Sequence, residues 1–428
     1  MQLRYDLDDH PPLREFILFG LQWLAISIPG IVIIGNVVAG MYCTDQAAQV
    51  IYLQKLSFIT GVVLLSQVLV GHRLPLIPGP STVLLIGMIA SVGFDPDAVY
   101  TSIMIGGLLL FLTAVSGLFG RLQRLFTVRV VAVVLLLIAV ALMPTVVDLL
   151  ISAGPARLPH SLSFAFLLVL FMFLAQRNLP AVWRSSVIFC AMVVGSLAWF
   201  VCFSSPAGRQ FPGLPLVSGF FSGFTTRPLI DPGVVISFLF CFLGVSVNDL
   251  GSIESVSTLL NPPGMKGRVN RGIAFTGLAN VVSGFFGVIG PVNFSLSPGV
   301  ILSTGCASRM PLVLTGVLLA LLSFSPLVLG VVGTVPPVVI ASTLIYILAF
   351  QIAAGLAVIG HAEKGIRLET GVIVGLSVFV GAGVSFLPVR FLDRFPALLR
   401  PILGNGFVVG VLTALILEHL VYRNLRKP

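Results

Sequence analysis

Long apolar runs separated by short polar stretches recur from one end of the chain to the other. They lie near residues 16–40, 48–71, 74–92, 96–119, 129–153, 160–176, 182–204, 229–250, 270–289, 291–306, 310–333, 336–360, 368–389 and 401–421. A bilayer-crossing helix needs about 20 mostly apolar residues, so the pattern predicts an all-α polytopic membrane protein with fourteen transmembrane segments. With most of the 428 residues in these segments, no separate soluble domain is expected, and residues 1–428 read as one transporter unit.

Two segments break the helical pattern. Segment 3 carries Pro75, Pro78 and Pro80 in its first half, and segment 10 carries Pro291 and Pro298. Proline removes a backbone donor and clashes with the preceding turn. Each segment is therefore expected to begin extended and to become helical partway across. Such backbone is tolerated at membrane depth only where protein buries it or a cavity receives it. A shift of 219 residues lays Gly79-Pro80 on Pro298-Gly299 and Leu24-Ala25-Ile26-Ser27-Ile28 on Leu243-Gly244-Val245-Ser246-Val247. The expectation is a seven-plus-seven inverted repeat, residues 1–204 and 229–428, with the site where the two broken segments meet.

Composition sharpens the picture. The chain is 57% hydrophobic and only 9% charged, against about a quarter charged in soluble domains. Its formal charge of +9 does not indicate nucleic acid, because the basic residues are scattered through short loops. With the N-terminus inside, seventeen of the 24 lysines and arginines fall on the inner side, the bias that sets membrane topology. Both termini are thus expected in the cytoplasm. The outer loop 390–400, with three arginines among Phe391, Phe395 and Leu398, is expected to lie along the membrane surface. The first fifteen residues lack a signal-peptide pattern, so the first apolar run is expected to stay as a span. Cys43, Cys190, Cys202, Cys241 and Cys306 show no metal-ligand spacing and read as apolar packing residues.

The residues of several segments resemble the nucleobase/ascorbate transporters, which include the uracil and xanthine permeases. The stretch Leu296-Ser297-Pro298-Gly299-Val300-Ile301-Leu302-Ser303-Thr304-Gly305 matches the family signature at Gly299, Thr304 and Gly305. Leu296 and Ser297 stand where the family has two polar residues. In segment 8, Asn248 and Ser252 occupy the places of an acidic base-edge ligand and of a second polar group one turn on. Gly20-Leu21-Gln22 is followed by Trp23 where the family usually has His. Gly79-Pro80-Ser81-Thr82 replaces a Gly-Ser-Ser-aromatic run, and the run from Asn280 to Gly287 is similar to the family's ninth segment.

The resemblance implies a secondary active permease for a xanthine- or uracil-class nucleobase in the inner membrane, with no cofactor. It also implies H+ or Na+ as coupling ion, surrounding lipid and an optional homodimer. Candidate substrate contacts are Asn248, Ser252, Trp23, Ser81, Thr82, Leu296, Ser297 and Gly299. Asp249, Glu254 and Thr304 are coupling or gating candidates. Alternatives stay open for each. Trp23 could simply pack, and the hydroxyls could satisfy neighbouring backbone. Asp249, about 100° around the helix from Asn248, could face loop groups, and Glu254 could be solvated. Asp148 reads as interfacial. The five histidines all fall in loops or segment ends, leaving no midmembrane proton relay. Loss of the family's acidic groups beside two helix N-termini also admits an anion exchanger on the same fold. No set of catalytic residues suggests an enzyme.

Overall fold

The computed structural model describes residues 3–422 apart from 44, 123–126, 153, 155–156, 181–186, 204–213, 295–296, 363–366, 388–390, 392–395 and 397–398. Leu296 and most of the loop 390–400 lie outside the described residues. Helices α1 (Leu13–Tyr42) and α2 (Gln46–Leu69) lead to a short strand β1 (Pro78–Pro80), then α3 (Thr82–Ala90) and α4 (Pro96–Val115). There follow α5 (Val128–Ala141), α6 (Met143–Ile151), α7 (Leu158–Asn178) and α8 (Val187–Phe203). The order then begins again: α9 (Pro232–Leu260), α10 (Met265–Phe285), strand β2 (Pro291–Asn293), α11 (Ser297–Thr304) and α12 (Met310–Leu322). It ends with α13 (Pro326–Val332), α14 (Pro337–Ala362), α15 (Leu368–Ser385) and α16 (Gly406–Ile416), which runs on into a π-helical turn at Leu417–Val421.

Among the described residues, eight helices are long and apolar enough to cross a membrane. Proline divides two of the segments, the first of them still counted as one span, Val128–Ile151. Pro144 and Pro326 each sit in the first turn of a new helix, so segment 5 divides into α5 and α6 and segment 11 into α12 and α13. Neither division is anticipated by the hydropathy pattern. Segment 8 is corrected in the other direction. Capped by Asp231, whose carboxylate accepts from the Gly233 and Val234 amides, α9 continues ten residues past the expected end at 250. Asn261 stops it in the left-handed conformation. Asn248, Asp249, Ser252 and Glu254 therefore share one unbroken helix.

The helices pack as two bundles, α1–α4 with α9–α13, and α5–α8 with α14–α16. The two halves of the chain thus interleave, each giving its first four segments to one bundle and its last three to the other. The repeat offset is not uniform. Leu13 to Pro232 and Gln46 to Met265 both span 219 residues, whereas Pro78 to Pro291 spans 213. The shorter approach to β2 means that Gly79-Pro80 corresponds to strand 291–293. Pro298-Gly299, its expected partner, lies in the first turn of α11 instead.

Candidate functional site

Both broken segments begin as strands, and the strands pair. β1 and β2 run antiparallel, with Pro78 opposite Asn293, Gly79 opposite Val292 and Pro80 opposite Pro291. The Ser81 amide donates to Gly290 O at 2.9 Å and the Phe294 amide to Ile77 O at 2.8 Å, extending the ribbon at each end. Prolines are compatible with a two-stranded ribbon because each strand has an edge that needs no ladder donor. Beyond the ribbon each chain turns helical. Ser81 caps α3 by accepting from the Leu84 amide at 3.3 Å. The Ser297 hydroxyl, in the first turn of α11, accepts from the Ile77 amide at 3.2 Å. The two short helices thus start from the same ribbon, and their N-terminal dipole ends add fixed positive partial charge around it.

Asp249 is fully buried on α9 and turns toward this ribbon. Its carboxylate accepts from the Thr276 hydroxyl at 2.8 Å, the Asn293 amide at 3.1 Å and the Asn293 side-chain N–H2. Gln67 on α2 donates to Thr276 Oγ1 at 3.0 Å, which commits the Thr276 proton to Asp249. One turn further along α9, the Ser252 hydroxyl donates to Asn293 O at 2.8 Å. Two consecutive turns of α9 therefore grip one residue of β2. None of the ion pairs among the described residues includes Asp249. A buried carboxylate served only by neutral donors is costly unless a cation or proton joins it.

The sequence candidates separate into groups. Asp249 and Ser252 join the broken segments, while Asn248 beside them is half-buried on a neighbouring face of α9. Ser81 and Ser297 spend their hydroxyls on the backbone that shapes the ribbon. Thr82 is half-buried at the first position of α3, and Gly299 lies within α11. Thr304 donates to Val300 O and accepts from the Cys306 amide, closing the end of α11. Trp23 is buried within the apolar core of the first bundle. Glu254 is exposed and lines a cavity of about 620 Å³ with Leu250, Ser257, Lys266 and Asn270, on the side of α9 away from Asn248.

Four participants escaped the sequence reading. Thr276 and Gln67 look like ordinary hydroxyl and amide groups in apolar helices, and only the packing of α2 against α10 brings them to Asp249. Phe294 follows Asn293, and its ring lies over Gly79 and Gly30, where added Cβ atoms would stand 2.4 and 3.3 Å from it. The fourth is His72, placed by hydropathy in a loop between segments. It is fully buried, with its Nδ1 accepting from the Leu74 amide at 3.0 Å. His72 does lie between segments, as hydropathy places it, but it is not solvated: after α2 the chain bends, with Arg73 in the left-handed conformation, and the bend turns His72 inward.

Paired half-helices inside one of two bundles, each built from both halves of the chain, define a membrane transport protein of the seven-plus-seven inverted-repeat class. The chain has the fold of the transmembrane domain of a cyanobacterial bicarbonate transporter, BicA, at a TM-score of 0.63 and 16% identity, covering 89% of this chain and 98% of that one. The permease family model Xan_ur_permease matches residues 14–390, and the chain belongs to that family. It is a multi-pass permease and not an enzyme. Similar proteins include the nucleobase transporter PlUacP of Paenibacillus larvae, 26% identical over 95% of this chain and 94% of that protein. The uric acid permease PucJ of Bacillus subtilis is 26% identical over 95% and 92% of the two chains.

Proposed function

We propose that this permease carries a nucleobase of the xanthine, urate or uracil class across the inner membrane by alternating access, driven by H+ or Na+. The observation that carries the reading is the wiring of Asp249 to Asn293. It joins an ionisable group in α9 to the strand pair, so a cation bound at Asp249 can be felt where the broken segments meet. Phe294, whose ring lies close to Gly79 and Gly30, offers a planar ligand an aromatic stacking partner. Asn248 offers a donor and an acceptor for a ring amide edge. Residues 1–204 and 229–428 act as the two repeats, with both termini cytoplasmic and a homodimer in the lipid as an available assembly. Relatives named for nucleobases and uric acid support the substrate class.

The second reading, an anion exchanger, is favoured by the fold of the bicarbonate transporter and by the two helix N-termini. The buried Asp249 carboxylate argues against it, since a second negative charge nearby is repelled strongly in a low-dielectric site. Ligand-induced thermal stabilisation of the purified protein decides between them. Xanthine, uracil, hypoxanthine or urate should raise the melting temperature. A response to sulfate or bicarbonate with none to the bases would replace the nucleobase reading by the anion one.

A further inference from the structure

His72 comes up to the Asn293 side chain that serves Asp249, and no role follows for His72 from the resemblance or from the substrate site. His72 follows α2, and its ring is seated against α10, where a Cβ on Gly272 would stand 3.1 Å from its own Cβ. The imidazole lies beside the Asn293 side chain, yet among the described residues neither His72 Nε2 nor Asn293 Oδ1 has a hydrogen-bond partner, although both are buried. Their chemistry is complementary. Because Nδ1 accepts from the Leu74 amide, the neutral ring carries its proton on Nε2. That leaves an N–H donor facing a carbonyl acceptor, each without a partner, and an unmet buried polar pair is expensive.

From this geometry we propose that His72 is a positioning residue for Asp249, holding the Asn293 amide with its N–H2 turned to the carboxylate. An asparagine amide presents a donor or an acceptor according to which way it is turned. Turned as found, it donates to Asp249 and stabilises the ionised form. Turned over, it sets its oxygen against the carboxylate, an arrangement that only a protonated Asp249 can satisfy. His72 selects the first orientation, since its Nε2–H can close on Oδ1 but not on an N–H2. The open pair is the play left to β2: a displacement of the strand toward His72 makes the bond while Asp249 keeps its own. The proposal rests on the reading of Asp249 as the coupling residue.

The charged groups nearby do not replace this role. Arg268 on α10 donates to His72 O at 3.1 Å and to Arg73 O at 2.8 Å, so its guanidinium is occupied with the backbone at the outer edge of the loop. Arg73 turns back to Leu69 O. Around Asp249 the contacting groups are Thr276 from α10 and Asn293 from β2, with Gln67 behind Thr276 and Ser252 beside it, all of them neutral.

The test is the protonation of Asp249 in the full-length protein in lipid, followed by infrared difference spectroscopy of the carboxyl band that Asp249→Asn removes. His72→Phe, which keeps the shape and loses the donor, should move the midpoint of that band about one pH unit higher, the size of one charge-assisted hydrogen bond. His72→Asn, which keeps an acceptor for the Leu74 amide but cannot reach Asn293, should do the same and serves if the Phe variant fails to insert. His72→Gln, with a donor near the Nε2 place, should restore the midpoint. An Asp249 band that titrates unchanged in the Phe and Asn variants overturns the role of His72 alone. If no band titrates and Asp249→Asn leaves nucleobase uptake pH-dependent, the coupling reading fails and takes this proposal with it.

Discussion

Asn293 gives Asp249 two of its three hydrogen bonds, one from its main-chain amide at 3.1 Å and one from its side chain. A strand residue in the middle of a broken segment is thereby tied to an acidic group on a different helix. Asp249→Asn leaves one carbonyl oxygen for three donors and turns an N–H2 group toward at least one of them. Each buried donor left unmet costs about 1–3 kcal/mol. The expected outcome is a protein that still binds nucleobase but no longer accumulates it, with protonophore-sensitive uptake in the wild type and none in the variant. Wild-type uptake unaffected by a protonophore and by sodium removal would count against coupling at Asp249.

Asn248 is half-buried and adjacent to Asp249 without sharing its partners, so its removal should spare the fold. Asn248→Ala is expected to weaken nucleobase binding by about 1–3 kcal/mol, the cost of leaving a buried ligand group unpaired. Isothermal titration of the purified variant measures it. Unchanged affinity would remove Asn248 from the site.

Phe294 and Gly79 make a graded test of the stacking face. A Cβ at Gly79 would stand 2.4 Å from the Phe294 ring, and one at Gly30 would stand 3.3 Å away. The first forces the ring to move, while the second asks for a few tenths of an ångström. Gly79→Ala should therefore reduce nucleobase affinity more than Gly30→Ala, and Phe294→Ala should remove the stacking contribution, about 1–3 kcal/mol for a base on an aromatic ring. Equal dissociation constants across the three variants would show that the ring does not touch the ligand.

The membrane topology rests on the loop charges. Reporter fusions ending near Lys364 and at Pro428 should both read cytoplasmic. A periplasmic signal from either would invert the orientation of the repeats.

Much of this architecture is legible in the sequence because its causes are local. Prolines 75, 78 and 80 and Pro291 announce broken segments, and Gly79 marks a close approach without showing that a phenylalanine ring makes it. Asp249 stands out as a carboxylate in an apolar run, but its direction does not. The side of α9 it occupies is set by the placement of Thr276 and Asn293, 27 and 44 residues further on. His72 illustrates the limit best. Hydropathy averages over a window and reads Gly71-His72-Arg73 as a polar loop, whereas the fold exposes Arg73 and buries His72 beside it. The failed match of Gly79-Pro80 with Pro298-Gly299 has a similar origin, since a single offset cannot follow a repeat whose second copy reaches its strand in six fewer residues.

The contact between the two bundles offers the last test, because transport by alternating access requires that contact to yield. At the start of α16, Asn405 accepts from the Val408 amide as a helix cap and donates to Ser237 on α9, both at 3.2 Å. Two residues on, Phe407 is fully buried, and its ring would stand 2.5 Å from a Cβ on Gly244 of α9, with Val83 of α3 at 3.0 Å. Glycine at 244 is what lets the ring of one bundle lie against the helix that carries Asp249. Gly244→Val should therefore wedge the bundles apart, lowering the uptake rate while membrane insertion and nucleobase affinity hold. Phe407→Ala alone opens a cavity, which in protein cores costs about 3–5 kcal/mol. In the Gly244→Val background the same truncation makes room for the added methyls, so the double variant should recover part of the lost uptake. The two residues are in contact, and a coupling energy of about 0.5–3 kcal/mol is the expected scale for such a pair. Additive losses in that cycle would mean that the ring and the glycine do not meet at the moving interface.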